Sequence, residues 1–191
     1  MMRRAAGAGL ALLLVAALTP PARAMSIAPF RGHVGIGYAK LFATDAPGGS
    51  LSAAAGIDHP LYRGTRLGLD FGYHLLGSRN VEEGSLAAGL DYSAFTTALL
   101  VHWVPANLGP VGRLSAGPAL VNAHVDLSTS GGGAAFAKYA VDETAPGLAL
   151  AATFITKRET PVRTGLEVGA TVGFLEDETW TLASLRLVFH Y

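Results

Sequence analysis

The strongest constraint on this chain is a repeated alternation of apolar side chains with small or polar ones. Successive side chains of a β-strand point to opposite faces, so this pattern predicts strands with one apolar face. Eight stretches carry the alternation, and their apolar members begin at Val34, Leu51, Leu67, Phe95, Leu114, Leu148, Leu166 and Leu185. The fifth and sixth stretches are the weakest, and Pro118 interrupts the fifth. The sequence therefore predicts an all-β protein.

Composition narrows the class of all-β protein. The chain has 191 residues, of which 50% are apolar and only 15% charged, against roughly 25% charged residues in soluble domains. Such a chain is too apolar for a disordered segment, and the absence of cysteine excludes a disulfide scaffold. The 14 basic and 14 acidic residues give no excess of positive charge, so nucleic acid is not an expected partner.

Residues 1–24 are predicted to be a cleaved signal peptide, followed by a barrel domain over residues 25–191. Arg3 and Arg4 precede an 11-residue apolar run, Ala8–Leu18, and Ala22-Arg23-Ala24 forms an A-x-A cleavage site. The run is too short to span a bilayer as a helix. The arginine pair lacks further twin-arginine features, so we expect export by the general secretory route.

The connections between the stretches are predicted to differ in length at the two ends of the sheet. Short links are expected at His59–Gly64, Pro105–Pro110 and Arg158–Pro161, and long loops at Leu76–Ser93 and Ala123–Ala145. This asymmetry is typical of an outer-membrane barrel with short periplasmic turns. It predicts an eight-stranded antiparallel up-and-down transmembrane β-barrel. A soluble secreted β-sandwich is the alternative architecture.

The fourth stretch contains a change of register. Leu86, Ala88, Leu90 and Tyr92 alternate in even positions, whereas the apolar residues from Phe95 onward are odd. A β-bulge near Ser93 would move the apolar side chains to the other face. The sequence predicts such a bulge, in a long strand that projects beyond the membrane.

The last strand ends in an aromatic residue, and Leu185, Leu187, Phe189 and Tyr191 share one face. This resembles the C-terminal strand of small eight-stranded bacterial outer-membrane β-barrels of the OmpX/OmpW-like or opacity-protein sort. The resemblance implies a porin-like protein of the Gram-negative cell envelope, embedded among outer-membrane lipids. It also implies that Leu187, Phe189 and Tyr191 form an assembly signal for the barrel-assembly machinery.

Charged residues on the inward face predict an interior ion-pair layer. Asp70, Glu167 and Arg186 lie at similar depths in their strands, and Arg113 or Arg163 could join them. We expect these charges to pair because a buried charge without a partner is energetically costly. The alternative is that each charge lies in water trapped inside the barrel.

Catalysis is not predicted. The closest approach to the H-x-S pattern of lipid A deacylases is His124-Val125-Asp126, with Ser128 displaced from the required position. No histidine pair has metal-ligand spacing, and no cofactor or metal site is predicted. We expect a structural, adhesive or interaction role, with an unknown extracellular partner bound through loops 76–93 and 123–145. The alternatives are a lipid-modifying barrel enzyme and a narrow transport barrel for small solutes.

Overall fold

Eight β-strands account for nearly all of the structure, a computed structural model. The strands are β1 (Arg31–Phe42), β2 (Gly49–Tyr62), β3 (Thr65–Glu83), β4 (Leu86–Trp103), β5 (Val111–Gly131), β6 (Ala134–Ile155), β7 (Arg163–Phe174) and β8 (Thr179–His190). The structure describes residues 30–43, 46–62, 64–83, 86–104, 111–131, 134–155, 162–176 and 178–191. The predicted signal peptide, residues 1–24, lies outside the described residues. No helix in the described part of the chain is long and apolar enough to cross a bilayer.

The strands form one closed antiparallel barrel in sequence order. Each strand pairs with its neighbours in the chain, and β1 closes the barrel against β8 with Val34 opposite Phe189. This confirms the predicted all-β, eight-stranded up-and-down barrel and rejects the two-sheet sandwich. Closure pairs every strand on both sides through the body of the barrel, so no sheet edge is left open there.

The body of the barrel has an apolar exterior. Outward side chains such as Ile57, Leu99 and Leu150 are 53%, 49% and 60% exposed. Pro118 also faces outward, opposite Leu148, so it continues the apolar face of the weak fifth strand. Inward positions carry mainly small or polar residues, because eight strands enclose only enough space for side chains to fill.

Two inward glycines mark where strands approach each other too closely for a side chain. A Cβ added to Gly37 would overlap the backbone of Leu185 and Arg186 on β8. A Cβ added to Gly117 would overlap the Leu99 carbonyl on β4. The many glycines are therefore a packing requirement of the narrow barrel at these positions.

The strands differ in length, which corrects the prediction of two long loops. β3 to β6 have 18 to 22 residues, whereas β1, β7 and β8 have 12. Residues 76–93 and 123–145 are therefore mostly strand, and only residues 84–85 and 132–133 connect the paired strands. The sequence predicts loops here because the outward positions of these segments, unlike those of the barrel body, carry few apolar residues.

The predicted bulge near Ser93 in β4 is wrong. β4 keeps one register against β5 from Leu86↔Gly131 to Trp103↔Leu114. The irregularity lies in the neighbouring strand, between Leu75 and Gly77 of β3, opposite Ser93 and Tyr92. What changes along β4 is the face that carries the apolar side chains. From Phe95 to Trp103 they point out of the barrel, whereas at Leu90 and Tyr92 they point in.

Candidate functional site: a projecting sheet above a plugged barrel

A four-stranded sheet extends beyond the body of the barrel at one end. This projecting sheet comprises residues 76–83, 86–93, 122–131 and 134–146 of β3 to β6. β2 pairs with β3 only as far as His74, and β7 pairs with β6 only as far as Gly147. The described ladders thus leave both sides of the projecting sheet without a neighbouring strand. We call the opposite end, which carries Phe30 and Tyr191, the base.

The outer face of the projecting sheet is polar. On β5, the outward positions change from Pro118 and Leu120 to Asn122, His124 and Asp126. On β6 the outward positions change in the same direction, from Leu148 in the body of the barrel to Thr144 and Asp142 in the projecting sheet. This boundary marks the upper limit of the apolar exterior.

His124 is the centre of a small charged group on that outer face. Its Nδ1 lies 2.6 Å from Asp142 Oδ1, and its Nε2 lies 3.7 Å from Asp126 Oδ2. The hydrogen bond to the Asp142 carboxylate raises the pKa of His124 above its usual value. Because the imidazole is partly exposed, water screens this pairing.

The structure does not bring Ser128 to His124. The two residues are four positions apart on one face of a strand, which separates their Cα atoms by roughly 13 Å. The Ser128 hydroxyl instead donates to the Gly89 carbonyl at 3.3 Å. A nucleophile requires its base within hydrogen-bonding distance, so the arrangement gives no support to an esterase centre here.

The inner face of the projecting sheet is mainly apolar, with Arg79 opposite Leu90 at its β3 side. Two cross-strand rows follow one another on this face: Leu90, Leu127 and Tyr139 in the first, and Tyr92, Val125 and Val141 in the second. Tyr139 and Val141 are 64% and 61% exposed. The inner face therefore offers large side chains above the barrel opening.

An apolar plug closes the lumen below this face. Leu41, Leu76, Val121, Trp180 and Leu182 are each at most 3% exposed and pack together. The Trp180 indole N–H donates to Glu178 Oε1 at 2.6 Å, which satisfies its only polar atom. Such a cluster fills the barrel at this level and blocks a water-filled path.

Below the plug, Glu167 lies between two guanidinium groups. Arg186 donates to Glu167 Oε1 at 2.7 Å, and Arg113 donates to Glu167 Oε2 at 2.9 Å. The Thr153 hydroxyl donates to the same Oε2 at 2.9 Å. Glu167 and Arg113 are both at least 95% buried. Charged and polar side chains therefore take the place of water as hydrogen-bond partners of the Glu167 carboxylate.

Asp70 has different partners. Its Oδ2 lies 3.2 Å from His33 Nε2, and its Oδ1 lies 3.9 Å from His102 Nε2. Asp70 and Arg186 line a shared interior cavity of about 40 Å³, whose size and polarity suit buried water. Arg163 is exposed at the base and has no contact with Glu167 among the described interactions.

Sequence reasoning missed several members of this polar interior. Asp58 pairs with Arg66, and His74 bridges Ser52 and Thr96 at 3.0 and 3.2 Å. Their signal was present, since all occupy the inward positions of the alternating pattern, but the pattern does not reveal which inward groups meet.

His102 and Ser115 form a pair that resembles part of a hydrolase site. His102 Nδ1 lies 2.8 Å from Ser115 Oγ, and Asp70 lies on the other side of the ring. However, His102 is fully buried, and neither described cavity is lined by His102 or Ser115. The pair belongs to the buried polar interior of the barrel.

Leu187 and Phe189 of the predicted assembly signal face outward on β8, and Tyr191 follows the strand and lines the base cavity. Leu187 lies between Ile36 and Leu166 on the neighbouring strands. The Tyr191 backbone N–H donates to the Gly32 carbonyl at 2.9 Å, which extends the closing seam to the base.

Among the described residues, no three His, Asp or Glu side chains are grouped to hold a metal ion.

Comparison with known proteins identifies the fold. No protein-family model and no curated protein sequence matches the chain. The solved structures similar to it include Ail, the attachment invasion locus protein of Yersinia pestis, at 13% identity and a TM-score of 0.52, covering 84% of this chain and 98% of Ail. Neisserial surface protein A has 14% identity and a TM-score of 0.55, covering 84% and 95% of the two chains. The chain thus has the fold of small eight-stranded outer-membrane β-barrels.

Proposed function

We propose that the protein is an integral outer-membrane barrel that binds an extracellular protein through its projecting sheet. The observation that carries this proposal is the inversion of polarity between the two parts of the same strands. The barrel body exposes apolar residues outward, as lipid requires, whereas the projecting sheet is polar outside and apolar inside. An exposed apolar surface above the membrane is typical of an interaction site.

The charge of the projecting sheet indicates the class of partner. Asp91, Asp126 and Asp142 lie on its outer face, and Glu143 and Arg79 lie on its inner face, so acidic side chains outnumber this one basic side chain. A partner with apolar side chains flanked by basic residues complements this surface. Ail has been crystallised with the heparin analogue sucrose octasulfate. A sulfated ligand does not suit the acidic surface of this chain.

The remaining sequence predictions agree with this role. We propose export of residues 25–191 after removal of the signal peptide by the general secretory route. Leu187, Phe189 and Tyr191 would present the closing strand to the barrel-assembly machinery. Asp70, Glu167 and Arg186 would act within the interior ion-pair layer, a structural role without catalysis.

A binding assay with matched variants tests the proposed function. Cells that display the protein would be exposed to a panel of purified secreted proteins, with immobilised heparin as a separate arm. We expect binding to a protein with a basic surface, little binding to heparin, and loss of protein binding in Val141→Asp. Ser128→Ala on the outer face is the control, because it leaves the inner face unchanged.

Three results would contradict the proposal. Binding that persists in Val141→Asp would remove the inner face as the site. Binding to heparin alone would reverse the inferred charge preference. Hydrolysis of lipid A that is lost in Ser128→Ala would replace the interaction role with an enzymatic one.

A further inference from the structure

A second site is found at the base, on the opposite side of the plug from the projecting sheet. The base holds an open cavity of about 280 Å³. Its charged and titratable lining consists of Arg31, Arg66, Arg113, Arg163, Asp58, His190 and Tyr191. Four guanidinium groups thus meet one side-chain carboxylate of the lining, and Glu167 behind it pairs with Arg113, so positive charge remains in excess in a confined space.

Only part of that positive charge is neutralised. Arg66 pairs with Asp58. Arg113 Nη2 donates to Glu167, and Arg113 Nε lies 3.4 Å from Thr153 Oγ1. Arg113 is only 4% exposed, and its Nη1 is buried without a hydrogen-bond partner, 3.9 Å from Asp58 Oδ2.

Two further arginines lie at the cavity opening. Arg31 and Arg163 are exposed, and no ion pair of either is found among the described residues. His190 Nε2 is a second buried polar atom of the lining that lacks a hydrogen-bond partner. The cavity therefore presents several polar atoms with unused hydrogen-bonding capacity to one volume.

These groups define the chemistry of the ligand. A guanidinium group binds oxyanions through paired N–H donors in a fixed plane. Three such groups offer more donors than the two oxygens of a carboxylate accept, whereas a phosphate group presents oxygens in several directions. We propose that the base cavity binds a phosphate group through Arg31, Arg113 and Arg163. The phosphate belongs to a phospholipid headgroup or to a soluble phosphate.

Calorimetry on the full barrel in a zwitterionic detergent tests this assignment. One arm titrates inorganic phosphate, and the other titrates dihexanoylphosphatidylglycerol, with dihexanoylglycerol as its phosphate-free control. Binding in the lipid arm alone identifies a headgroup site, and binding of inorganic phosphate alone identifies a soluble ligand. Either result supports a phosphate site, provided that dihexanoylglycerol does not bind.

Charge variants decide whether the arginines are responsible. Arg31→Gln with Arg163→Gln is expected to weaken binding about ten-fold or more, because two charge-assisted contacts are lost. The control, Lys40→Gln with Arg79→Gln, removes the same charge away from the base and should bind as the unmodified protein does. If the double base variant does not fold, each single variant should still show weaker binding. No binding of either phosphate probe, or equal weakening in the control, would overturn the proposal.

Discussion

At the scale of single residues, the barrel interior depends on a carboxylate shared by two guanidinium groups. Glu167 accepts from Arg113 and Arg186 in a place with little access to water. Removing one member of such a buried group leaves uncompensated charge, and this costs more than the intact pairing contributes.

Glu167→Gln should therefore lower the free energy of unfolding by about 3–5 kcal/mol. Urea unfolding in phosphatidylcholine vesicles, followed by tryptophan fluorescence, measures the change. Glu176→Gln is the control, because Glu176 is exposed, and it should change stability by less than about 0.5 kcal/mol. Equal stability of the two variants would show that the buried carboxylate is not paired as described.

The pKa of His124 should lie above the usual value of about 6.5, because the imidazolium donates to Asp142. The pairing then stabilises the projecting sheet fully below the unfolded-state pKa, and this contribution is lost as the pH rises through the higher folded-state pKa. NMR titration of the His124 ring measures the shift. Asp142→Asn should return the pKa toward its usual value, and an unchanged pKa in that variant would contradict the assignment.

At the scale of elements, the long strands change the face that carries their large apolar side chains. In the barrel body that face points out, and in the projecting sheet it points in. In the apolar exterior of β5, Leu114 and Leu120 face out, whereas Val121 and Val125 face in toward the plug and the inner face. The alternation was sufficient to predict eight strands. It could not show where the outward face changes from apolar to polar, because both arrangements produce the same period of two.

The same limit explains the misplaced bulge and loops. A shift of apolar residues from odd to even positions looks identical whether the strand turns over or its surroundings change. At Leu90 and Tyr92 the strand does not turn over, and it is the surroundings that change. The contacts inside the barrel were also beyond the sequence, since the register of neighbouring strands decides that Arg186 meets Glu167 while Asp70 meets His33.

Closure of β1 against β8 should depend on the absence of a side chain at position 37. Gly37→Ala places a methyl group against the Leu185 carbonyl, so we expect a loss of about 1–3 kcal/mol in unfolding free energy. Gly48→Ala is the matched control, because nothing lies within 4 Å of its added Cβ. Urea unfolding distinguishes the two, and equal stability would contradict the close approach.

At the scale of the whole molecule, the plug lies between the projecting sheet and the base cavity. Trp180 and Leu41 belong to the buried cluster that occupies the lumen at this level. The molecule is therefore expected to expose two different chemistries to two compartments without connecting them.

The purified barrel should show no steady conductance in planar lipid bilayers. Replacing Trp180 and Leu41 together by Ala should produce small openings, because the plug loses the volume of two buried side chains. Steady conductance of the unmodified protein would instead support the narrow transport barrel.

The central claim is that this chain is an integral outer-membrane barrel, and one measurement tests it most directly. The full chain would be produced in a Gram-negative host, its envelope fractionated, and the protein run on SDS gels with and without boiling. We expect recovery in the outer-membrane fraction with mobility that changes on boiling, because the closed barrel unfolds only when heated. Recovery as a free periplasmic protein, with the same mobility in both lanes, would contradict it.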